Sequence, residues 1–154
     1  MSAHKITVLY VDDEENNLFS FKAAFRIKYQ VYTALNGAEA LKILASKPVE
    51  IIITDQRMPE MTGVEFLEKV LIDFPEPMRI LLTGYADMGA VVDAVNKGKI
   101  FHYLAKPWNE EELDLTIAKA YEKYQEKAKL KEMNEKLAGS NDQLEFMLRQ
   151  KLLS

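Results

Sequence analysis

Three carboxylates, one hydroxyl and one ammonium group recur at the ends of apolar runs. Asp12 and Asp13 follow the run Ile6 to Val11. Asp55 closes the run that starts at Ile51, Thr83 follows Ile80-Leu81-Leu82, and Lys106 follows the run Ile100 to Leu104. Three carboxylates drawn together repel one another and are penalised by burial, and a divalent cation relieves both costs. Oxygen donors without His or Cys favour Mg²⁺ over zinc or copper. A carboxylate exposed beside such a metal can attack phosphorus as a nucleophile. The metal and a nearby ammonium neutralise charge on the transferring oxygens. A hydroxyl within reach can then hydrogen-bond a phosphoryl oxygen. Asp55 is the candidate nucleophile, because it stands alone at the end of the most apolar run. Taken alone, the pair Asp12-Asp13 reads as the N-terminal cap of a helix. The occurrence of all five groups at four run ends carries the chemical reading.

The elements that must position these groups alternate. Ile6 to Val11, Gln30 to Leu35, Ile51 to Ile53, Ile80 to Leu82 and Ile100 to Leu104 read as strands. Leu18, Phe21 and Phe25 recur at helical spacing after the first strand. Asn36 with Glu39, Thr62 with Glu65 and Asn109 with Glu112 form capping patterns that open three further helices. Val91, Val92 and Val95 mark another. Five strand-helix pairs imply parallel pairing through crossovers. Continuous apolar strands suit a sheet covered on both faces. The expected fold is therefore α/β, a doubly wound five-stranded parallel sheet. In such sheets, functional residues collect beyond the carboxyl ends of the strands.

The chain has 154 residues, 48% hydrophobic and 29% charged, with a net charge of −4 and no cysteine. The charge gives no global attraction to nucleic acid or anionic lipid, so no direct nucleic-acid or membrane partner is expected. The absence of cysteine excludes thiolate metal sites and thiol nucleophiles, and it fits a cytoplasmic protein. The first apolar run is too short to span a membrane.

Four motifs in order resemble the receiver domains of two-component response regulators, of the chemotaxis-regulator type. They are Val11-Asp12-Asp13-Glu14; Asp55-Gln56-Arg57-Met58-Pro59-Glu60-Met61-Thr62-Gly63; Leu82-Thr83-Gly84-Tyr85; and Lys106-Pro107-Trp108. The resemblance covers roughly residues 5–123 and implies a flavodoxin-like strand order 2-1-3-4-5. It also implies that Asp55 accepts a phosphoryl group from a histidine kinase. Asp13, Asp55 and the backbone carbonyl of Arg57 would bind Mg²⁺ directly, and Asp12 mainly through water. Thr83 and Lys106 would contact the phosphoryl group, and Tyr103 would be the switch aromatic. The Lys106–Pro107 peptide would be cis. The change would pass through the face made by the fourth helix, fifth strand and fifth helix. A protein of this kind is a switch and not an enzyme with a separate substrate; its self-phosphorylation and self-dephosphorylation are slow. Gly84 leaves the site open, and a ring at Tyr85 is placed to shield an acyl phosphate.

Two other readings are weaker. A metal-dependent aspartyl phosphatase of the haloacid-dehalogenase type wants Asp-x-Asp after the first strand, which Asp12-Asp13-Glu14 does not match. A degenerate receiver used only for dimerisation or assembly is disfavoured because every site position is filled. His4 and His102 carry no partner pattern, and Trp108 reads as loop packing.

Residues 1–124 are expected to form the receiver and residues 125–154 a helical extension. Leu130, Met133, Leu137, Leu144 and Met147 lie at a/d-compatible positions, with Ser140 between them. The final helix should begin near Asn109 and run past Tyr124 without a stop. The stripe points to a homodimeric coiled coil, expected to be parallel so that two receivers can hand a rotation or register shift to paired outputs, with a hairpin folding back at Gly139 as the rival. No output motif follows residue 124, and the helical pattern persists to Leu152-Leu153-Ser154, which leaves room for a fused or separate output domain.

Overall fold

The computed structural model describes residues 4–84 and 88–153, with side chains to Lys151. Strands and helices alternate: β1 Thr7–Val11, α1 Glu15–Phe25, β2 Gln30–Ala34, α2 Gly37–Ser46, β3 Ile51–Asp55, α3 Gly63–Asp73, β4 Met78–Thr83, α4 Met88–Asn96, β5 His102–Ala105 and α5 Glu110–Leu153. The sheet runs β2-β1-β3-β4-β5, and its neighbouring strands pair in parallel. This is the flavodoxin-like order expected above.

Period-two alternation divides each strand between two cores. Val8, Tyr10, Ile51, Ile53, Ile80 and Leu82 face the layer holding Leu18, Phe21 and Phe25 of α1 and Leu113, Ile117 and Ala120 of α5. Leu9, Val11, Ile52 and Leu81 face the other layer, with Ala40 and Leu44 of α2, Phe66, Leu67 and Val70 of α3, and Val91 and Ala94 of α4. Both faces are covered, so the strands read as unbroken apolar runs.

The capping patterns form. The Asn36 side chain accepts from the backbone N–H of Glu39, and the Glu39 carboxylate accepts from that of Leu35. Thr62 and Glu65 cap each other reciprocally. Asn109 accepts from the backbone N–H of Glu112, so α5 starts where expected.

Two expectations change. The fifth strand begins at His102 and not at Ile100: Ile100 is buried ahead of the strand, and the Phe101 N–H is already turned to the carbonyl of Arg79. The hairpin at Gly139 does not form. α5 is one helix of 44 residues. A Cβ at Gly139 would meet nothing within 4 Å, so no packing turns the chain there. Tyr121 and Tyr124 are the last side chains of α5 packed on the core; beyond them the helix is exposed through Lys151. No helix among the described residues is long and apolar enough to cross a membrane.

Candidate functional site

The strand tips at one edge of the sheet are stitched together by backbone. The N–H of Asp12 donates to Ala34, that of Gln56 to Leu82 and that of Lys106 to Thr83, over 3.1, 3.0 and 3.0 Å. These bonds extend the ladders one residue beyond the strands. They bring residues far apart in sequence to one mouth.

There one oxygen from each of Asp12, Asp13 and Asp55 lies within 4.8 Å of the others. Lys106 Nζ stands 3.0 Å from Asp55 Oδ2 and 3.5 Å from Asp12 Oδ2. The Lys106–Pro107 peptide is cis. Thr83 is fully buried, and its hydroxyl donates to the carbonyl of Gly84 at 3.0 Å. A Cβ at Gly84 would meet nothing within 4 Å among the described residues. Tyr103 is half-buried and packs on the core beneath α2, α3 and α4. Arg57 is exposed on the loop after β3. Tyr85 lies outside the described residues.

Asp12 and Asp13 differ sharply. Asp12 is fully buried. Its Oδ1 accepts from the Glu14 N–H at 3.0 Å. Its Oδ2 accepts from the Tyr10 hydroxyl at 3.2 Å and from Asn17 Nδ2 at 3.0 Å. Asp13 is exposed. The reading of the acidic pair as the cap of α1 is not met: the N-cap is Glu14, with no side-chain cap hydrogen bond, and Asp12 only bonds the Glu14 N–H ahead of the helix. Yet its other oxygen faces Lys106.

Burial, then the charge of Asp12, pushes the Asp55 carboxyl above its ordinary range, and Lys106 pulls it partly back. Burial alone would lower the Lys106 ammonium, but Asp55 and Asp12 hold it above its usual value. Burial and then Asp12 raise the Tyr10 phenol far above the ordinary range, so it stays a proton donor to Asp12. Three carboxylates against one ammonium leave an excess of two negative charges. An all-oxygen set of that charge fits Mg²⁺. Asp13 and Asp55 can offer it oxygens directly, while both oxygens of Asp12 are already engaged by the protein.

Four contributors were given no role by the sequence reading: Tyr10 and Asn17, and Gln56 and Gly63 within the quoted motif. Tyr10 had a signal, because strand alternation puts it on the same face as Asp12. Its ring stacks on Phe21 with centroids 4.2 Å apart. Gln56 locks the start of α3: its carbonyl accepts from the Gly63 N–H and its side chain from that of Val64. A Cβ on Gly63 would lie 2.4 Å from the Asp55 carbonyl oxygen and 2.7 Å from Leu81 Cδ1. Only glycine lets α3 start that close to Asp55. Trp108 packs against Phe21 and Phe25, as loop packing predicts. His4 pairs with Glu50 at 3.0 Å, away from the site.

The comparisons agree with this geometry. The family profile described as "Response regulator receiver domain" matches residues 8–118. The hydrogenase transcriptional regulatory protein HoxA of Cupriavidus necator is 38% identical over 122 residues, which is 79% of this chain and 25% of that protein. The chain thus matches about a quarter of the length of such relatives. A crystal structure of adenylate cyclase from Rhodopirellula baltica superposes with a TM-score of 0.81 at 30% identity, covering 84% of this chain and 97% of that one. A CheY-like response regulator receiver domain protein from Methanospirillum hungatei gives a TM-score of 0.74 at 27% identity, covering 80% and 99%.

Proposed function

This chain belongs to the response regulator receiver domain family, and from that premise we propose that it is a phosphorylation switch with Asp55 as the acceptor. Receiver domains are signalling proteins phosphorylated by histidine kinases. The observation that carries the assignment here is the ammonium of Lys106 held 3.0 Å from Asp55 Oδ2. An oxygen of Asp55 attacks the phosphorus of the donor. The new O–P bond forms as the bond to the donor breaks, and that electron pair leaves with the kinase imidazole or, for acetyl phosphate, with acetate. Asp13, Asp55 and the Arg57 carbonyl would hold Mg²⁺, with Asp12 behind them, and the ion would supply positive charge to the transferring oxygens. Lys106 pairs with one phosphoryl oxygen. The Thr83 hydroxyl leaves the Gly84 carbonyl to bond another, and Tyr103 follows it inward. That movement alters the face formed by α4, β5 and α5.

We assign the tail a second copy of this chain as partner. Relatives are named as transcriptional regulators and one as DNA-binding; with a net charge of −4, these 154 residues are not assigned direct contact with DNA.

Incubation of the full chain with Mg²⁺ and acetyl phosphate, read by intact mass, tests the switch. One phosphoryl group should be added to the parent and none to Asp55→Asn, whose circular dichroism stays native. Equal labelling of the variant would remove Asp55 from its role.

A further inference from the structure

The helix α5 presents two faces along its length. Leu113, Ile117 and Ala120 are buried on the sheet, with Tyr121 and Tyr124 packed beside them. Leu130, Met133, Leu137, Leu144 and Met147 are 52–64% exposed. At about 3.6 residues per turn, this second set lies roughly half a turn around the helix from the first. A helix laid on the stripe therefore passes on the outer side of α5 and meets no receiver.

The stripe is closed by charge at both ends. The same heptad frame puts Glu126 one layer before Leu130 and Lys151 one layer after Met147. A parallel pair, the orientation that would let two receivers pass a rotation to paired outputs, stacks Glu126 on the partner's Glu126 and Lys151 on the partner's Lys151. Like charges facing across a seam oppose association and act as a device against that pairing. Reversing one helix removes both conflicts. In the register that sets Leu130 against the partner's Met147, and Met133 against the partner's Leu144, Leu137 meets the partner's Ser140. Glu126 then falls opposite the partner's Lys151, twice by symmetry. The flanking lysines Lys129 and Lys136 face the partner's Gln150 and Gln143, so no like charges meet at the rim.

We propose that the tail pairs antiparallel with a second copy of this chain in this register, the Glu126–Lys151 pairs selecting the orientation. The inference rests on the tail being the dimer surface and specifies its geometry. The two receivers then sit at opposite ends of a rod about 38 Å long between those charged layers.

The chain has no cysteine, so introduced thiols are the only ones present. A disulfide needs Cα atoms within about 7 Å. In the antiparallel register, Met133 lies roughly 16 Å along the axis from the partner's Met133, at about 1.5 Å rise per residue. Oxidised full-length M133C alone and L144C alone should stay uncross-linked. Mixed together, they should form the 133–144 disulfide dimer. In sedimentation, Glu126→Lys should weaken the dimer at least tenfold, and adding Lys151→Glu should restore it. Self-cross-linking of M133C with an intact dimer overturns the orientation and leaves the dimer standing. A parent chain that is monomeric at tens of micromolar overturns both.

Discussion

At the mouth of the sheet, Asp12 is fully buried and takes hydrogen bonds from Tyr10, Asn17 and the Glu14 backbone. Along the tail, Leu130, Met133, Leu137, Leu144 and Met147 stand more than half exposed. The first region breaks the rule that charge stays out, and the second breaks the rule that apolar surface goes in. The mouth compensates within one chain: among the described residues no buried side-chain nitrogen or oxygen lacks a partner. Under the proposed pairing, the tail would compensate against a second copy. A polar helix isolated in water is marginal, and each fully buried Leu or Met contributes about 1.5–3 kcal/mol. On that proposal the receiver's geometry is independent of concentration, while the tail's stability rises with it.

One substitution made in both regions should have opposite signs. Gly63→Ala drives a methyl into the Asp55 carbonyl and the Leu81 side chain. It should destabilise the receiver by about 3 kcal/mol or more, because backbone on one side cannot give way; a chemical-denaturation midpoint unchanged from the parent would refute this close packing. Gly139→Ala meets open space and should stabilise the helix by about 0.5–1 kcal/mol.

Between these extremes, Asp13→Ala should weaken Mg²⁺ binding tenfold or more, about 1.4 kcal/mol, since an exposed carboxylate leaves the site without a structural replacement. Titration calorimetry gives the number, and an unchanged affinity would take Asp13 out of the ligand set. The fold should stay intact, unlike that of Gly63→Ala.

A third contact sharpens the contrast by its pH dependence. Lys28 Nζ lies 2.7 Å from Asp114 Oδ2, and the Tyr29 hydroxyl donates to Asp114 Oδ1. Burial raises the Asp114 carboxyl, but these two partners outweigh it and hold it below the ordinary carboxylate range. A depressed carboxylate stabilises the fold above its unfolded pKa of about 3.9, and the gain is lost as pH falls through the folded value. Tyr29 is raised, by burial first and then by Asp114. Its share is complete below the unfolded pKa of about 10 and is lost as pH rises through the folded value. Asp114→Asn should therefore cost about 1 kcal/mol near neutrality. The deficit should shrink toward acid pH as the parent loses the contact too. Thermal unfolding of both chains from pH 3 to 7 checks this, and a constant deficit would argue against the pairing.

The sequence by itself determined the alternation of strands and helices, the three capping patterns and the five groups at four run ends. Each is local: a capping oxygen three residues from its N–H, or an apolar period of two or 3.6 residues, needs no knowledge of distant chain. It could not determine how Asp12 and Asp13, adjacent in sequence, divide their tasks. That was decided by Tyr10, Asn17 and Lys106 closing around one carboxylate and leaving the other to solvent. Nor did it mark Gly63, whose small size matters only because parallel pairing of β3 with β4 brings Leu81 and the Asp55 carbonyl against the start of α3. The start of β5 shifted for the same reason, since the Arg79 carbonyl claims Phe101 before the strand begins. In the tail the apolar spacing was visible in the sequence. That the stripe faces away from the receiver was decided only when Leu113 and Ile117 docked on the sheet and fixed the rotation of the whole helix.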